Sequence, residues 1–372
     1  MLKCAVFLIL IISTCLVITS CRAEQTAVTT VTAPLTETAI PPSPPANTPE
    51  VAPSRSPTPE VLTEPAPTTA PETPATASVC FTPADLIPIA FMPEGDRLLV
   101  RTGSGVQIFN LVTMQEESFF KAPMNVLAAA LSPDGSTLAW SLEDHTIQLL
   151  RIADQKLINT LPGHADVVYK LRFSPSGDRL ISASHDTWVR IWDLEGNLLY
   201  DFQPDGEVLG IGISPDDKQL ATIPFDGPLK LWDLVDHKLI AELGSATGYD
   251  TSDAVFSPDG RYLAADLATG LNLWSLPDGE LSWDKIKNSM AVAFSPDGRY
   301  LAYSDIDENN DIILSSPDGS QVVRTLEGIQ APVWEMFFSP DSTNLVTADG
   351  VGLRVWSVED GKLLYIGKYA CP

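Results

Sequence analysis

The sequence predicts an all-β fold, and three observations lead to that prediction. A turn built around proline follows a hydrophobic segment seven times, with 38 to 44 residues from one turn to the next. Short runs of β-branched and aromatic residues, bounded by glycine, aspartate and proline, lie between these turns as strands do. No segment after the first 20 residues shows a convincing helical pattern. A period of about 40 to 45 residues is typical of four-stranded propeller blades, so we predict a seven-bladed β-propeller of four-stranded antiparallel blades. The seven prolines are Pro93, Pro133, Pro175, Pro215, Pro258, Pro296 and Pro340.

The chemistry of the turn explains why it recurs. In Ser132-Pro133-Asp134-Gly135, serine stands at position i, proline fixes φ at i+1, aspartate is at i+2 and glycine at i+3 of a type I turn. A short apolar strand, a polar turn, a third strand ending in an aromatic residue and a fourth strand complete the repeat. A ring of six blades with an irregular segment is the alternative, but it would discount the first repeat.

The N-terminus predicts export. Lys3 precedes an apolar run over residues 5–17 that is too short to span a bilayer and suits a signal peptide. An aliphatic residue and two small ones then precede Cys21, a pattern that resembles the bacterial lipobox, where lipoprotein signal peptidase cuts before the cysteine. The resemblance implies a signal peptide over residues 1–20 and a diacylglyceryl group on Cys21. Ordinary secretion with cleavage elsewhere is the alternative.

For residues 21–79 we predict the lipidated cysteine and, after it, a disordered linker rich in proline and threonine. The segment holds 13 prolines between Pro34 and Pro74 and has no Phe, Trp or Tyr. Such a composition cannot bury enough apolar surface to offset the conformational entropy of folding. We therefore expect a stalk that holds the propeller, residues 80–372, clear of the membrane.

The charge of the chain excludes one class of partner. The sequence has 48 acidic and 23 basic residues, for a formal net charge of −25. A surface this acidic repels phosphate backbones and anionic lipid headgroups. We therefore expect no nucleic-acid partner and contact with the membrane through the lipid anchor only.

The third repeat resembles the WD-repeat propeller family. Gly163-His164 stands near its start, Asp186 lies in the turn before its third strand, and Trp192 is followed by aspartate, as Trp232 is in the next repeat. In that family a histidine, a serine or threonine, an aspartate and the tryptophan form a buried hydrogen-bond network that fixes the blade. Here the resemblance implies a network of His164, Ser182 (or Ser184), Asp186 and Trp192.

The other repeats depart from the family pattern. Trp274 and Trp356 are followed by serine, Phe109 replaces the tryptophan of the first repeat, and Leu150 and Leu314 lie near that position in the second and sixth. The resemblance spans about residues 85–368, strongly in period and weakly in motif. It implies the fold and a role as an interaction platform, without identifying a partner.

A propeller must join its last blade to its first, because an open ring leaves unpaired strand edges. Residues 362–367 fit the fourth strand of the last blade, and the stretch around Cys80 could instead add beside it. Cys4 and Cys15 would leave with the signal peptide and Cys21 would be lipidated, so only Cys80 and Cys371 would remain. They flank the propeller, and we hypothesise a disulfide between them in an oxidising compartment.

Motifs for catalysis are lacking in the sequence. The chain has 4 histidines without paired metal-ligand spacing, and no Gly-x-Ser-x-Gly nucleophile motif. We therefore assign no catalytic residues and no cofactor, and expect a protein that is not an enzyme. The alternative is a propeller enzyme, glycoside-active or of the lyase type, that uses acidic residues at the central channel. Three or more convergent carboxylates at one channel mouth would favour the enzyme, and exposed aromatic residues would favour the scaffold.

One acidic segment has oxygen ligands at alternating positions, as calcium loops do: Asp305, Asp307, Asn309 and Asp311. It lies in the widest turn between second and third strands. The position that glutamate holds in an EF-hand is Ser316 here, so a solvated acidic turn is the simpler interpretation.

Three aromatic residues are candidates for contact with a partner. Trp188 interrupts an otherwise polar turn, Phe225 lies in a tight turn, and Trp334 begins the last blade. Each could instead cap the core. Together the sequence predicts a monomeric propeller that acts as a binding scaffold for a protein, peptide or glycan, anchored by lipid on the extracytoplasmic side of the cell membrane.

Overall fold

The structure, a computed structural model, describes residues 78–80, 87–113, 115–247, 253–267, 270–276, 279–286, 289–307, 309–349 and 351–368. The predicted signal peptide, Cys21, the linker to residue 77 and Cys371 lie outside the described residues. Within these described ranges, no helix is long and apolar enough to cross a membrane.

Seven sheets follow one another along the chain, each with four consecutive antiparallel strands and the last extended by one further strand, which confirms the predicted seven-bladed β-propeller. Each sheet is built from four consecutive strands. Blade 1 is β2 (Ile87–Phe91), β3 (Arg97–Thr102), β4 (Gly105–Asn110) and β5 (Gln115–Lys121). Blade 2 is β6 (Val126–Leu131), β7 (Thr137–Leu142), β8 (Ile147–Arg151) and β9 (Leu157–Leu161). Blade 3 is β10 (Val168–Phe173), β11 (Arg179–Ser184), β12 (Val189–Asp193) and β13 (Leu198–Phe202). Blade 4 is β14 (Val208–Ile213), β15 (Gln219–Pro224), β16 (Asp226–Asp233) and β17 (Lys238–Thr247).

The remaining blades continue the same order. Blade 5 is β18 (Val255–Phe256), β19 (Tyr262–Leu267), β20 (Gly270–Ser275) and β21 (Glu280–Ile286). Blade 6 is β22 (Val292–Phe294), β23 (Leu301–Asp305), β24 (Asp311–Ser315) and β25 (Val322–Leu326). Blade 7 is β26 (Val333–Phe338), β27 (Asn344–Asp349), β28 (Gly352–Ser357) and β29 (Leu363–Lys368). One further strand, β1 (Ser78–Cys80), precedes them.

The first strands of the blades form the inside of the ring. Each first strand contacts the first strand of the next blade, and β26 of blade 7 contacts β2 of blade 1, so the circuit is closed. These seven strands therefore surround an axial channel. Because each blade is antiparallel, the start of its first strand lies on the same face of the ring as its turn between strands two and three. We call this the upper face, and the face with the proline turns the lower face.

The proline turns of the lower face have the geometry that the sequence predicts. In blade 2 the Gly135 N–H donates to the Ser132 carbonyl over 2.9 Å, which closes a type I turn. The buried Ser132 hydroxyl donates to Asp134 over 2.6 Å and accepts from the Thr137 N–H over 2.9 Å. The Ser132 hydroxyl holds the pKa of Asp134 below its ordinary value. Equivalent serine-to-aspartate hydrogen bonds lie at Ser214, Ser257, Ser295 and Ser339.

The hydrophobic core lies between neighbouring blades. One buried cluster joins the last blade to the first, with side chains from β2, β3 and β4 packed against side chains from β27, β28 and β29. Within it the rings of Phe109 and Tyr365 lie 5.8 Å apart, and the rings of Phe91 and Phe337 meet edge to face at 5.7 Å. Burial of these aromatic residues supplies the apolar contact that closes the ring.

Strand β1 adds a fifth strand to blade 7. It pairs in parallel with β29, with Cys80 opposite Lys368. The last blade therefore has both of the strands that the sequence left as alternatives: β29 is its fourth strand, and the stretch at Cys80 lies outside it.

Candidate binding surface

Blade 3 holds a buried hydrogen-bond chain between the upper face and the centre of the sheet. The Trp192 indole Nε1–H donates to Ser182 Oγ over 2.9 Å. Ser182 Oγ lies 2.8 Å from His164 Nε2, and His164 Nδ1 lies 2.9 Å from Asp186 Oδ2. The structure thus brings together the four residues that the sequence motif implies. Of the two serines considered, Ser182 takes part, whereas Ser184 Oγ donates to the Asp166 carbonyl.

The protonation of this chain follows from its surroundings. Burial lowers the pKa of His164, and the nearby Asp186 opposes that effect without overcoming it, so the imidazole is neutral at neutral pH. A neutral ring donates Nδ1–H to Asp186 and accepts at Nε2 from the Ser182 hydroxyl. Burial alone would raise the pKa of Asp186, but the hydrogen bonds from the Ala165 N–H and from His164 outweigh burial and lower it.

The same aspartate fixes the turn that carries Trp188. Asp186 Oδ1 accepts from the Trp188 N–H over 3.0 Å, and Asp186 Oδ2 accepts from Ala165 N–H over 2.9 Å. Gly163 has φ of +130°, a conformation that suits glycine. The segment entering blade 3 and the turn between its second and third strands are therefore held together on the upper face.

Blades 4 and 7 keep part of the network. The indole N–H of Trp232 donates to Thr222 over 2.9 Å, and that of Trp356 donates to Thr347 over 3.0 Å. In blade 1 the equivalent position is Phe109, which is 1% exposed and has no N–H to donate. The blades therefore share the packing position while only some use the polar network.

The three predicted contact residues all lie on the upper face. Trp188 and Phe225 are half-buried in the turns between second and third strands of blades 3 and 4. The Phe225 N–H donates to the Glu207 carbonyl over 2.7 Å, which ties this turn to the segment entering β14. Trp334, the second residue of β26, is 37% exposed and lines the axial channel. The structure thus places one aromatic residue at the channel mouth and two farther out on adjacent blades.

The axial channel contains a cavity of about 510 Å³ with a cluster of charged groups. Lys170 Nζ lies 3.0 Å from Asp253 Oδ1, and Arg172 Nη2 lies 2.9 Å from Asp253 Oδ2. Asp253 Oδ1 also accepts from the Ile211 N–H over 3.1 Å. Glu335, next to Trp334, lines the same cavity.

The two carboxyl groups of the channel have opposite electrostatic environments. Burial alone would raise the pKa of Asp253, but Lys170 and Arg172 outweigh it, so the pKa lies below its ordinary value. Burial raises the pKa of Glu335 to about 7, assisted by Asp253 and opposed by Lys170 and Arg172. At neutral pH Asp253 is a carboxylate, while Glu335 is divided between its neutral and charged forms.

These channel residues were not among the sequence candidates, although the repeats contain a signal for them. Lys170, Asp253 and Glu335 each lie three residues before the end of the first strand of their blade. The other four blades hold small residues or proline there: Pro88, Ala128, Gly210 and Ala291. A charged residue at a repeat position that is otherwise small indicates a group directed to the axis.

The acidic turn of blade 6 lies between β23 and β24 on the upper face. Asp305 Oδ1 accepts from the Asp307 N–H over 3.2 Å, and Asn309 and Asn310 both have φ of +63°. Among the residues that the structure describes, no group of three or more His, Cys, Asp or Glu side chains is placed to hold a metal ion. Calcium binding by Asp305, Asp307, Asn309 and Asp311 stays a prediction.

Known proteins have sequences similar to parts of this propeller, including the blade that holds the buried network. The model of the WD domain, G-beta repeat, matches residues 155–193, which include the buried network of blade 3. Apoptotic protease-activating factor 1 of Rattus norvegicus is 25% identical over 250 residues, covering 64% of this chain and 20% of that protein. WD repeat-containing protein 36 of Homo sapiens is 34% identical over 137 residues, covering 35% of this chain and 15% of that protein. An uncharacterized WD repeat-containing protein of Synechocystis sp. is 31% identical over 135 residues, covering 35% of this chain and 38% of that protein.

These similarities support a WD-repeat β-propeller. The chain spans less than two fifths of the length of each of these three relatives. The similarity therefore concerns the propeller, and not the whole of any relative.

Proposed function

We propose that this protein is a binding scaffold that presents the upper face of its propeller to an extracytoplasmic protein, peptide or glycan. The observation that carries the proposal is Trp334, a large aromatic side chain that is 37% exposed at the mouth of the axial channel. Tryptophan is enriched at the centres of interfaces because it supplies much contact area at little entropic cost. WD-repeat propellers generally act as protein-interaction scaffolds, which supports the same conclusion.

The geometry of the upper face suits this role. The hydrogen-bond chain from Trp192 to Asp186 fixes the turn of Trp188 before any partner arrives, so little conformational entropy is lost on binding. The contact surface is therefore preorganised around the channel, with Trp334 at its centre and the turn of Trp188 farther out.

The alternative, a propeller enzyme, has less support in the channel. Among the described residues that line the cavity there are two carboxyl groups, Asp253 and Glu335. Asp253 is paired with Lys170 and Arg172. Three or more convergent carboxylates were the condition that would favour the enzyme.

The anchoring scheme belongs to the same proposal. A signal peptide over residues 1–20, a lipid on Cys21 and a disordered stalk would hold the propeller outside the membrane. A Cys80–Cys371 disulfide would join the two ends of the propeller. The pairing of Cys80 with Lys368, three residues before Cys371 in the sequence, supports this disulfide.

Proximity labelling on intact cells tests the proposal. A labelling enzyme fused to the C-terminus of the full chain should mark a reproducible set of extracytoplasmic proteins. The double variant Trp188→Ala, Trp334→Ala should lose the partner from that set. Val235→Ala is the matched control, because Val235 is 67% exposed in the turn between β16 and β17 on the lower face. A set unchanged by the double variant, or lost in the control, would contradict the assignment of the upper face.

A further inference from the structure

The axial cavity offers hydrogen-bond donors that the protein itself does not use. Arg172 and Lys170 have five and three N–H donors respectively, and their ion pairs with Asp253 occupy only part of them. The buried Nε of Arg172 has no hydrogen-bond partner among the described residues. That Nε atom is itself almost inaccessible, but the Arg172 and Lys170 side chains are 39% and 30% exposed, so their other N–H groups can reach a ligand in the cavity.

The balance of charge in the cavity selects an anion. When Glu335 is protonated, Lys170 and Arg172 face one carboxylate, that of Asp253, and the four groups together carry one positive charge. This positive region lies in a protein whose formal net charge is −25. A cation would meet the excess positive charge at close range, whereas an anion would be attracted to it.

Glu335 completes the cavity as a group that changes its hydrogen-bonding role. Its carboxyl group makes no hydrogen bond with the described residues. The charged groups that affect its pKa are Lys170 and Arg172 of β10, Asp253 before β18 and Arg101 of β3. Arg101 also donates to the Val126 carbonyl over 2.7 Å. Since burial raises the pKa of Glu335 to about 7, its neutral form can donate a hydrogen bond near neutral pH.

The walls of the cavity indicate which anion fits. Apolar side chains from neighbouring blades line it beside the charged cluster, among them Ile213, Met290, Met336 and Phe337. A guanidinium group matches the planar geometry of a carboxylate with two parallel hydrogen bonds. A carboxylate with an apolar body would use both parts of the cavity.

We propose that the axial channel binds an organic carboxylate, with Arg172 and Lys170 holding its oxygens and protonated Glu335 donating the remaining hydrogen bond. The carboxylate can belong to a free organic acid or to the C-terminus of a peptide that enters past Trp334. This site goes beyond the scaffold function, because it holds a ligand inside the ring and not on its face.

The protonation of Glu335 makes the affinity depend on pH. Ionised Glu335 places a negative charge beside the bound anion and removes the donor. The affinity should therefore be greatest when Glu335 is protonated and fall as the pH rises through 7. Between pH 6 and pH 8 we expect the Kd to rise about tenfold, because the protonated fraction of Glu335 falls about tenfold over that interval.

Isothermal titration of the full chain with hexanoate tests the site. Wild type should bind hexanoate at pH 6 and about tenfold more weakly at pH 8. Glu335→Gln keeps the donor without the charge, so it should bind with the same affinity at both pH values. Arg172→Met should raise the Kd at pH 6 by about tenfold or more. Arg261→Met is the matched control and should bind as wild type, because Arg261 pairs with Asp259 on the lower face.

The remaining arms identify the ligand and guard against misfolding. Arg172→Lys keeps the charge beside Asp253 and should stay folded, with weaker hexanoate binding than wild type. If the bound carboxylate is a peptide C-terminus, a tripeptide with a free C-terminus should bind more tightly than its amidated form. If the bound carboxylate is a free organic acid, hexanoate should bind and the tripeptide should not. Failure of wild type to bind either hexanoate or the free tripeptide at pH 6, equal binding by both Arg172 variants and wild type, or a pH dependence that persists in Glu335→Gln would overturn the proposal. Binding of inorganic phosphate without hexanoate would also overturn it.

Discussion

Removal of one hydroxyl from blade 3 tests how the blade is held together. In Ser182→Ala the Trp192 indole N–H loses its acceptor and His164 Nε2 loses its donor, and all three side chains are buried. A buried polar group left without a partner costs about 1–3 kcal/mol, so the two together should lower the free energy of unfolding by about 2–6 kcal/mol. That is a large fraction of the stability of a typical domain, about 5–15 kcal/mol.

The assay is urea unfolding followed by circular dichroism, with Thr347→Val in blade 7 as the matched control. Thr347 accepts from the Trp356 indole N–H over 3.0 Å, and its replacement by valine leaves one group unpaired. The control should therefore lose about 1–3 kcal/mol, less than Ser182→Ala. A loss below about 0.5 kcal/mol for Ser182→Ala would refute the reasoning that the network stabilises the blade.

Three further predictions concern other parts of the ring. Tyr365→Phe should raise the free energy of unfolding by about 1 kcal/mol, because the buried Tyr365 hydroxyl has no partner among the described residues; a loss of that size in urea unfolding would contradict this. Glu335→Gln should leave stability unchanged near pH 4 and raise it at pH 8, by up to about 3 kcal/mol. The sign follows because the pKa of Glu335 is higher in the folded state, about 7, than in the unfolded state. The stability that the carboxyl group contributes is therefore fully present below the unfolded-state pKa and is lost as the pH rises to about 7. Thermal unfolding at both pH values measures this, and equal gains at both would be inconsistent with it. Peptide mapping without reductant should recover Cys80 linked to Cys371, and recovery of both as free thiols would exclude the disulfide.

The sequence was sufficient for the fold because the information is local and repeated. The turn at Ser132 needs only the five residues that follow it to form its hydrogen bonds, and this pattern recurs at a constant period. Blade count therefore follows from turn count. The network of His164 was also accessible, since Asp186 and Trp192 lie within one repeat and match a motif.

The channel cluster could not be found from one repeat. Lys170, Asp253 and Glu335 belong to blades 3, 5 and 7, and only closure of the ring brings them to one axis. Their electrostatic properties depend on that assembly, because the pKa of Glu335 is raised by burial inside the ring. Strand β1 was predicted only as one of two alternatives for the last blade, since a strand of 3 residues has no periodic signal.

The central claim is that partners bind the upper face around the channel. Site-specific photo-crosslinking on intact cells tests it most directly, with a photoreactive phenylalanine analogue in place of Trp334 or, on the lower face, Val235. We predict a crosslinked partner from position 334 and none from position 235. Crosslinks from position 235 alone would contradict the claim and move the working surface to the opposite side of the ring.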